Sequence, residues 1–283
     1  MRNLFNTVGI VARLDMQEAL NLSLEVTEYL KSRGLNVYLE AELAKRIEAE
    51  TLSLELREMR TDFIVTIGGD GTILRTCLSL SKPEPPILAV NMGVRGFLAE
   101  VTPGNVKQAL NKILNGKFII EEHWKLATFL GKERLPDALN EVFISAGIPV
   151  KLFHANIWKN GVRIAECRAD GLMVATQVGS TGYSLSAGGP VLDPELEAFV
   201  LTPVCPLTVF HPVVFSAKTN LTIEILKPEK ALIVIDGHYR KIFDVETRLT
   251  IAKSENKTSF IRLKEDFYQR LESRLFFARG EQG

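Results

Sequence analysis

The run Phe63–Ile67 stops abruptly at Gly68-Gly69. A short apolar run closed by glycines marks a strand buried on both faces, and such strands belong to parallel sheets covered by helices. The rest of the first third has the matching rhythm. Thr7–Val11 reads as a strand, and Gln17 to Arg33 places Leu20, Leu24 and Tyr29-Leu30 at helical spacing with Gly34 at the stop. Leu35–Leu39 predicts a second strand and Ala41–Glu50 a second helix. Thr72–Leu80 predicts a helix after the glycine turn, Ile87–Val90 another buried strand, and Pro103–Leu114 a helix closed by Asn115-Gly116. Strands alternating with helices imply a parallel sheet with right-handed crossovers.

From about Phe118 the rhythm changes. Short strand-like stretches follow one another: Ile119–Leu130, Ala138–Ser145, His154–Trp158, Arg163–Cys167, Leu172–Ala175, Val213–Phe215, Leu221–Ile225, Leu232–Ile235 and Leu249–Ile251. Lys159-Asn160-Gly161-Val162 predicts a hairpin, since asparagine and glycine tolerate the positive φ it needs. The expectation is an α/β domain over residues 1–117 and a β-rich domain, a sandwich or barrel, over 118–255. The tail from Phe260 to Arg279 carries Phe267, Leu271, Leu275 and Phe276 at roughly helical spacing and is expected to pack on something.

The totals exclude some classes. Lysine plus arginine is 34 and aspartate plus glutamate is 34, giving zero formal charge. That balance argues against a generic nucleic-acid binder, which needs uncompensated cations. No apolar run approaches the ~20 residues of a membrane span, and the start at Met1-Arg2-Asn3 has no signal-like apolar core. Cys77, Cys167 and Cys205 are too few and too far apart for a disulfide framework or a paired-cysteine zinc site. His123, His154, His211 and His238 are scattered without an HExxH, which argues against a zinc hydrolase. A cytoplasmic protein is expected.

Two glycine-rich blocks carry the chemistry. Gly68-Gly69-Asp70-Gly71-Thr72 lies between the buried strand and a helix, where backbone amides at a helix start suit a phosphate. It is neither a P-loop nor the dinucleotide fingerprint, which needs a third glycine. A carboxylate there is unfavourable beside phosphate unless it takes a proton or helps hold a metal, as in phosphoryl transfer. The plain alternative is a tight turn with Asp70 as helix cap. Arg75, one turn on, has two places open to it: the same phosphate, or water. The second block runs from Ala169-Asp170-Gly171 through Thr181-Gly182-Tyr183-Ser184 to Gly188-Gly189-Pro190. Its amides and short polar side chains suit ribose and amide recognition, with Tyr183 able to stack on a base; a flexible Ser/Gly loop is the alternative. Between the blocks lie Asn91–Leu98, leaving the carboxyl edge of a strand, and Asn140-Glu141, which suits a ribose diol or an adenine edge or is a polar strand start.

Taken in order, these segments resemble the NAD kinase family. Gly68–Thr72, Asn91–Leu98, Asn140-Glu141, Asp170–Pro194 and Asp236-Gly237 follow the order GGDGT, NxGxxGFL, NE, DGL with GSTxYSxSAGGPxxxP, and DG. The GGDGT turn by itself is shared with lipid kinases. The resemblance implies an N-terminal Rossmann-like α/β domain, completed by about residues 256–283 folding back on it, and a C-terminal β-rich, β-sandwich-like domain, with the active site in the cleft between. It implies transfer of the γ-phosphate of ATP to the adenosine ribose 2′-hydroxyl of NAD, giving NADP, with Asp70 as general base. Gly71 and Arg75 fall at family positions near the nucleotide, and Asn140 and Glu141 at the pair holding ribose and adenine. Lys151 and Arg168 match basic positions near the substrate, and Asp170 the aspartate on the nicotinamide side. Val178 and the run Thr181, Gly182, Tyr183, Ser184, Leu185, Ser186 match the loop lining the two base pockets. His238 stands where glutamine or asparagine is commoner. The resemblance further implies a divalent ion, most simply Mg²⁺ carried by ATP, small-molecule partners without nucleic acid or membrane, and a homodimer or homotetramer. Gln177 replaces a usual proline, Gly182 a common alanine, and Leu207 and His211 a usual histidine and arginine within a Pro203–Pro212 stretch one residue short. Two rival readings are a lipid kinase, which needs an apolar substrate entry, and a nucleotide sensor without turnover.

Overall fold

A computed structural model describes residues 4–93, 96–148, 151–207, 209–264 and 267–275. Met1, Arg2, Asn3, Val94, Arg95, Thr208, Phe276 and Arg279, named above, lie outside the described residues. The chain divides into two compact units, Met1–Glu122 with Thr258–Gly283, and His123–Lys257.

In the first unit the strands are β1 (Thr7–Ala12), β2 (Asn36–Glu40), β3 (Ser53–Leu54), β4 (Phe63–Gly68) and β5 (Ile87–Asn91). The helices are α1 (Gln17–Ser32), α2 (Ala41–Arg46), α3 (Asp70–Ser79) and α4 (Val106–Leu114). The sheet order is β5-β4-β1-β2-β3, and every pairing is parallel. All of β4 is buried, as its unbroken apolar run requires. Helix α1 turns Ala19, Leu20, Ser23, Val26, Thr27 and Leu30 inward at three- and four-residue spacing. That face joins Val8, Ile10, Leu39, Phe63, Val65 and Val90 in one core, to which α4 adds Val106, Leu110 and Ile113.

Helix α4 starts at Val106, after a 3-10 turn over Pro103–Asn105, and two other helix bounds differ from expectation for local reasons. The helix predicted to Glu50 stops at Arg46, because the backbone turns left-handed at Glu48 (φ 56°). Helix α3 begins at Asp70, two residues before the predicted start, since Ile73 N–H already donates to Gly69 O.

The second unit is built of antiparallel strands. The chain enters it along β6 (Ile119–Leu130), then forms β7 (Glu133–Arg134), β8 (Glu141–Ala146), β9 (Phe153–Lys159), β10 (Val162–Ala169) and β11 (Gly171–Ala175). A short helix α5 (Tyr183–Ser186) precedes β12 (Ala198–Val204), β13 (Val213–Ser216), β14 (Leu221–Lys227), β15 (Lys230–Ile235) and β16 (Tyr239–Asp244). One six-stranded sheet runs β13-β12-β11-β8-β15-β16. A second is ordered β10-β9-β14 and continues into the start of β17 (Leu249–Arg262). Asn160 (φ 49°) and Gly161 (φ 83°) make the β9–β10 hairpin as expected.

Strand β12 was not among the expected strands. It carries Pro203, which pairs with Leu172 of β11 but lies beyond Leu201, the last residue paired to β13, so its missing N–H is tolerated. Strand β17 outruns its predicted end at Ile251. Its last residues belong to the first unit, where Phe260 pairs in parallel with Ile87 of β5. Helix α6 (Phe267–Leu275) follows, with the Phe267 ring edge-on to Phe97 at 5.3 Å. The C-terminal segment thus folds back on the α/β unit.

Candidate active site

In the first unit the chain leaves β1 towards β2 on one side and leaves β4 towards β5 on the other. The carboxyl ends of β1 and β4 therefore flank a topological switch point, the place where open α/β sheets bind ligands. The ends are tied together, with Arg13 N–H donating to Ile67 O at 2.8 Å. The glycine turn opens at that point, and half-buried Asp70 is the first residue of α3. Its carboxylate accepts from Phe97 N–H (2.9 Å) and Leu98 N–H (3.1 Å). This contact needs Gly96, because a Cβ there would lie 2.4 Å from Asp70 Oδ1. Gly71 beside it is exposed.

Arg75 points elsewhere. It forms a two-pronged pair with Glu40 at the end of β2, Nη2 to Oε2 at 2.9 Å, with Glu40 almost fully buried. Those bonds hold the guanidinium pKa above its ordinary value. Arg75 thus ties α3 to β2, with 31% of its side chain still exposed.

In the second unit Asn140-Glu141 sits at a corner built from three segments. Leu139, Asn140 and Glu141 N–H all donate to the carboxylate of Asp236, at 2.7, 2.8 and 3.0 Å. Asp236, at φ 48° in the β15–β16 turn, donates its own N–H to Glu141 O at 3.0 Å. Thr176 holds the other side, its hydroxyl donating to Leu139 O (2.6 Å) and its amide to Asn140 O (2.9 Å). These contacts explain why β8 starts at Glu141 and not at Ala138: a side chain takes the amides a neighbouring strand would have used. The loop after Thr176 passes against the corner. A Cβ on Gly179 would lie 2.0 Å from Asn140 O, and one on Gly182 would lie 3.6 Å from Glu141 Oε2 and 3.7 Å from Asn140 Nδ2. Asn140 Oδ1 and Glu141 Oε2 are buried without hydrogen-bond partners. Burial, and then the Asp236 charge, push the Glu141 carboxyl up to about 8. Burial also raises Asp236, to about 6, against the pull of its three amides and the Lys125 charge.

The rest of the loop divides by burial. Val178, Thr181 and Ser184 are buried and serve the loop itself: Thr181 Oγ1 donates to Val178 O at 2.9 Å, and Ser184 Oγ bonds Thr202 Oγ1 at 2.9 Å. Tyr183 and Ser186 are exposed and Leu185 half-buried, with the Tyr183 ring edge-on to Phe143 at 5.7 Å. Gln177, in place of the usual proline, donates Nε2–H to Pro194 O at 3.2 Å. Lys151 and Asp170 both line a recess of about 470 Å³, together with Ser145, Ala146 and Leu232. Arg168 stands apart on β10, half-exposed and 3.6 Å from Glu166. His238 is exposed beyond the Asp236 turn. Asp236 and Thr176, whose side chains shape the corner, were not among the expected site residues; the Asp236-Gly237 pair between two strand-like runs was the available signal. Among the described residues no group of three or more His, Cys, Asp or Glu side chains converges to hold a metal ion.

Two family models cover most of the chain: the ATP-NAD kinase N-terminal domain over residues 8–118 and the ATP-NAD kinase C-terminal domain over residues 139–263. The chain belongs to the ATP-NAD kinase family. It is 40% identical to an NAD kinase of Methanothermobacter thermautotrophicus, over 95% of this chain and 95% of the relative. It is 41% identical to an NAD kinase of Pyrococcus abyssi, over 94% of this chain and 98% of the relative. The structure resembles that of an NAD kinase from Archaeoglobus fulgidus in complex with ATP, at TM-score 0.77 and 31% identity, covering 94% of this chain and 99% of that one. As a member of the NAD kinase family the chain is an enzyme, a kinase. No helix among the described residues is long and apolar enough to cross a membrane.

Proposed function

We propose that the chain transfers the γ-phosphoryl group of ATP to the 2′-hydroxyl of the adenosine ribose of NAD, giving NADP and ADP. The observation that carries this is Asp70, a carboxylate oriented by two main-chain amides at the switch point of the α/β unit. In the reaction the ribose oxygen forms a bond to the γ-phosphorus while the bond to the bridging oxygen of ADP breaks. Asp70 accepts the hydroxyl proton. Asn140 and Glu141 hold the ribose and adenine, with Gly182, Tyr183, Leu185 and Ser186 along the same loop. Asp170 and Lys151 face the nicotinamide side from their shared recess, and Arg168 adds a cation for the phosphates. Val178, Thr181 and Ser184 support that loop from within. Arg75 acts through α3, by its tie to Glu40, and not as a phosphate contact. Gly71 lets the nucleotide approach the start of α3, and His238 borders the adenine end.

In the same reading the divalent ion is Mg²⁺ carried by ATP, where it would neutralise charge on the phosphates. The family resemblance also supports a cytoplasmic homodimer or homotetramer, and sedimentation of the purified chain tests the assembly. The experiment for the activity is direct. Purified protein is incubated with NAD, ATP and Mg²⁺, and NADP is read through a strictly NADP-dependent dehydrogenase. NADP that forms only with all three present is the expected result; none at any enzyme concentration overturns the reading.

A further inference from the structure

We propose that Asp236 is a positioning residue: it fixes the main chain of Leu139–Glu141 and, by adding its charge to the effect of burial, favours the Glu141 carboxyl meeting the substrate as a hydrogen-bond donor. This rests on the reading that Asn140 and Glu141 hold NAD.

The geometry separates two neighbouring buried carboxyls. Asp236 is 2% exposed and accepts three main-chain N–H bonds of 2.7 to 3.0 Å. Amide donors aimed at a carboxylate favour its ionised form, and the charge of fully buried Lys125 on β6 acts in the same sense. Glu141 has the opposite surroundings. Its Oε2 is buried, has no donor, and faces the loop at Gly182. Glu141 feels the Asp236 charge, and two interacting like charges are not both sustained in a low dielectric, so the charge resides where the donors are. Asp236 is therefore the anion and Glu141 the neutral acid near neutral pH. The charged groups acting on this pair are Asp236 in the β15–β16 turn, Glu141 on β8 and Lys125 on β6. His238 lies two residues beyond Asp236. A neutral carboxyl carries an O–H, which a carboxylate lacks, and so pairs with an acceptor on the nucleoside: a ring nitrogen or a ribose oxygen. Donation from a buried acid also adds no negative charge beside the phosphates of the incoming donor.

The test reads the KM for NAD against pH in the wild type, Asp236→Asn and Glu141→Gln. In the wild type the KM is expected to rise about tenfold per pH unit once pH passes about 8, as the Glu141 proton is lost. Asp236→Asn keeps one acceptor oxygen and removes the charge. Its inflection should move down by about one pH unit, since the Asp236 repulsion is gone while burial, the larger cause, stays. In Glu141→Gln, a permanent donor, the inflection should disappear. A purely structural Asp236 would lower thermal stability and leave the inflection in place, and that result overturns the proposal. Infrared spectra of the wild type against Glu141→Gln supply an arm independent of turnover and of Asp236→Asn folding. A carboxylic-acid carbonyl band assignable to Glu141 at neutral pH is expected, and a carboxylate band there overturns the proposal. If no NADP forms at all, the reading of the function has failed, and the infrared arm still decides the state of Glu141.

Discussion

Asp70 is oriented by the main-chain amides of Phe97 and Leu98, so its substitution tests chemistry at a defined position. Asp70→Asn keeps an acceptor for one of the two amides and removes the base. Turnover should fall by about 10²–10⁴ while NAD binding, measured by calorimetry, stays nearly intact; unchanged turnover would remove Asp70 from the mechanism. Arg75 makes the opposite case. Arg75→Ala leaves Glu40 buried without its cation, a loss of ~3–5 kcal/mol for a fully buried pair. With 31% of the Arg75 side chain exposed, screening lowers the expectation to about 1–3 kcal/mol. A lower Tm with an unchanged KM for ATP would confirm that Arg75 ties α3 to β2. Glu141 sets a pH dependence. Its folded value of about 8 lies above the ordinary 4.5, so the folded protein binds the extra proton between those values. Stability from this group is complete below about 4.5, falls as pH rises, and is lost past about 8, so Tm should decline across that window and decline less in Glu141→Gln. Short motifs made Asp70, Asn140 and Glu141 candidates from the sequence alone. The partner of Arg75 was not one, since only the packing of β2 beside α3 brings Glu40 to it.

Among the elements, the two glycine-rich segments work by close approach. Gly179→Ala would press a methyl into Asn140 O, a main-chain atom that cannot swing aside. Overpacking of this kind costs about 1–3 kcal/mol and should raise the KM for NAD by moving the Asn140 corner. Gly96→Ala would crowd the Asp70 carboxylate instead. Displacing a reacting group by roughly an ångström costs up to about 10²-fold in turnover, so kcat is expected to fall with little change in the KM for NAD. Steady-state kinetics of the two variants separates the two effects. Sequence periodicity located most strands and helices here, because burial on one face or two leaves a pattern. It placed the start of β8 too early, since the Asp236 side chain competes for the amides of Leu139, Asn140 and Glu141. It passed over β12, whose Pro203 reads as a breaker until the pairing that spares it is known.

For the whole molecule, the parallel sheet was legible from Phe63–Ile67 and its neighbours, and the antiparallel strands from the turn residues between short runs. The pairing of Phe260 with Ile87 was not, because periodicity carries no information about partners far along the chain. Phe260 is fully buried beneath that pairing. Phe260→Ala should cost about 3–5 kcal/mol. Limited proteolysis of the variant should open the first unit before the second.

The course of β17 has a consequence for how the chain is born. Its early residues pair with β14 of the second unit, and its late ones supply a strand beside β5 of the first. A ribosome therefore releases every residue of the later unit while the earlier one still waits for its last strand. During that interval Val101 already covers Ala89 and Asn91, but the Ile87 end of β5 lacks its outer partner and is open to another nascent strand. The unit that is started first is the one finished last.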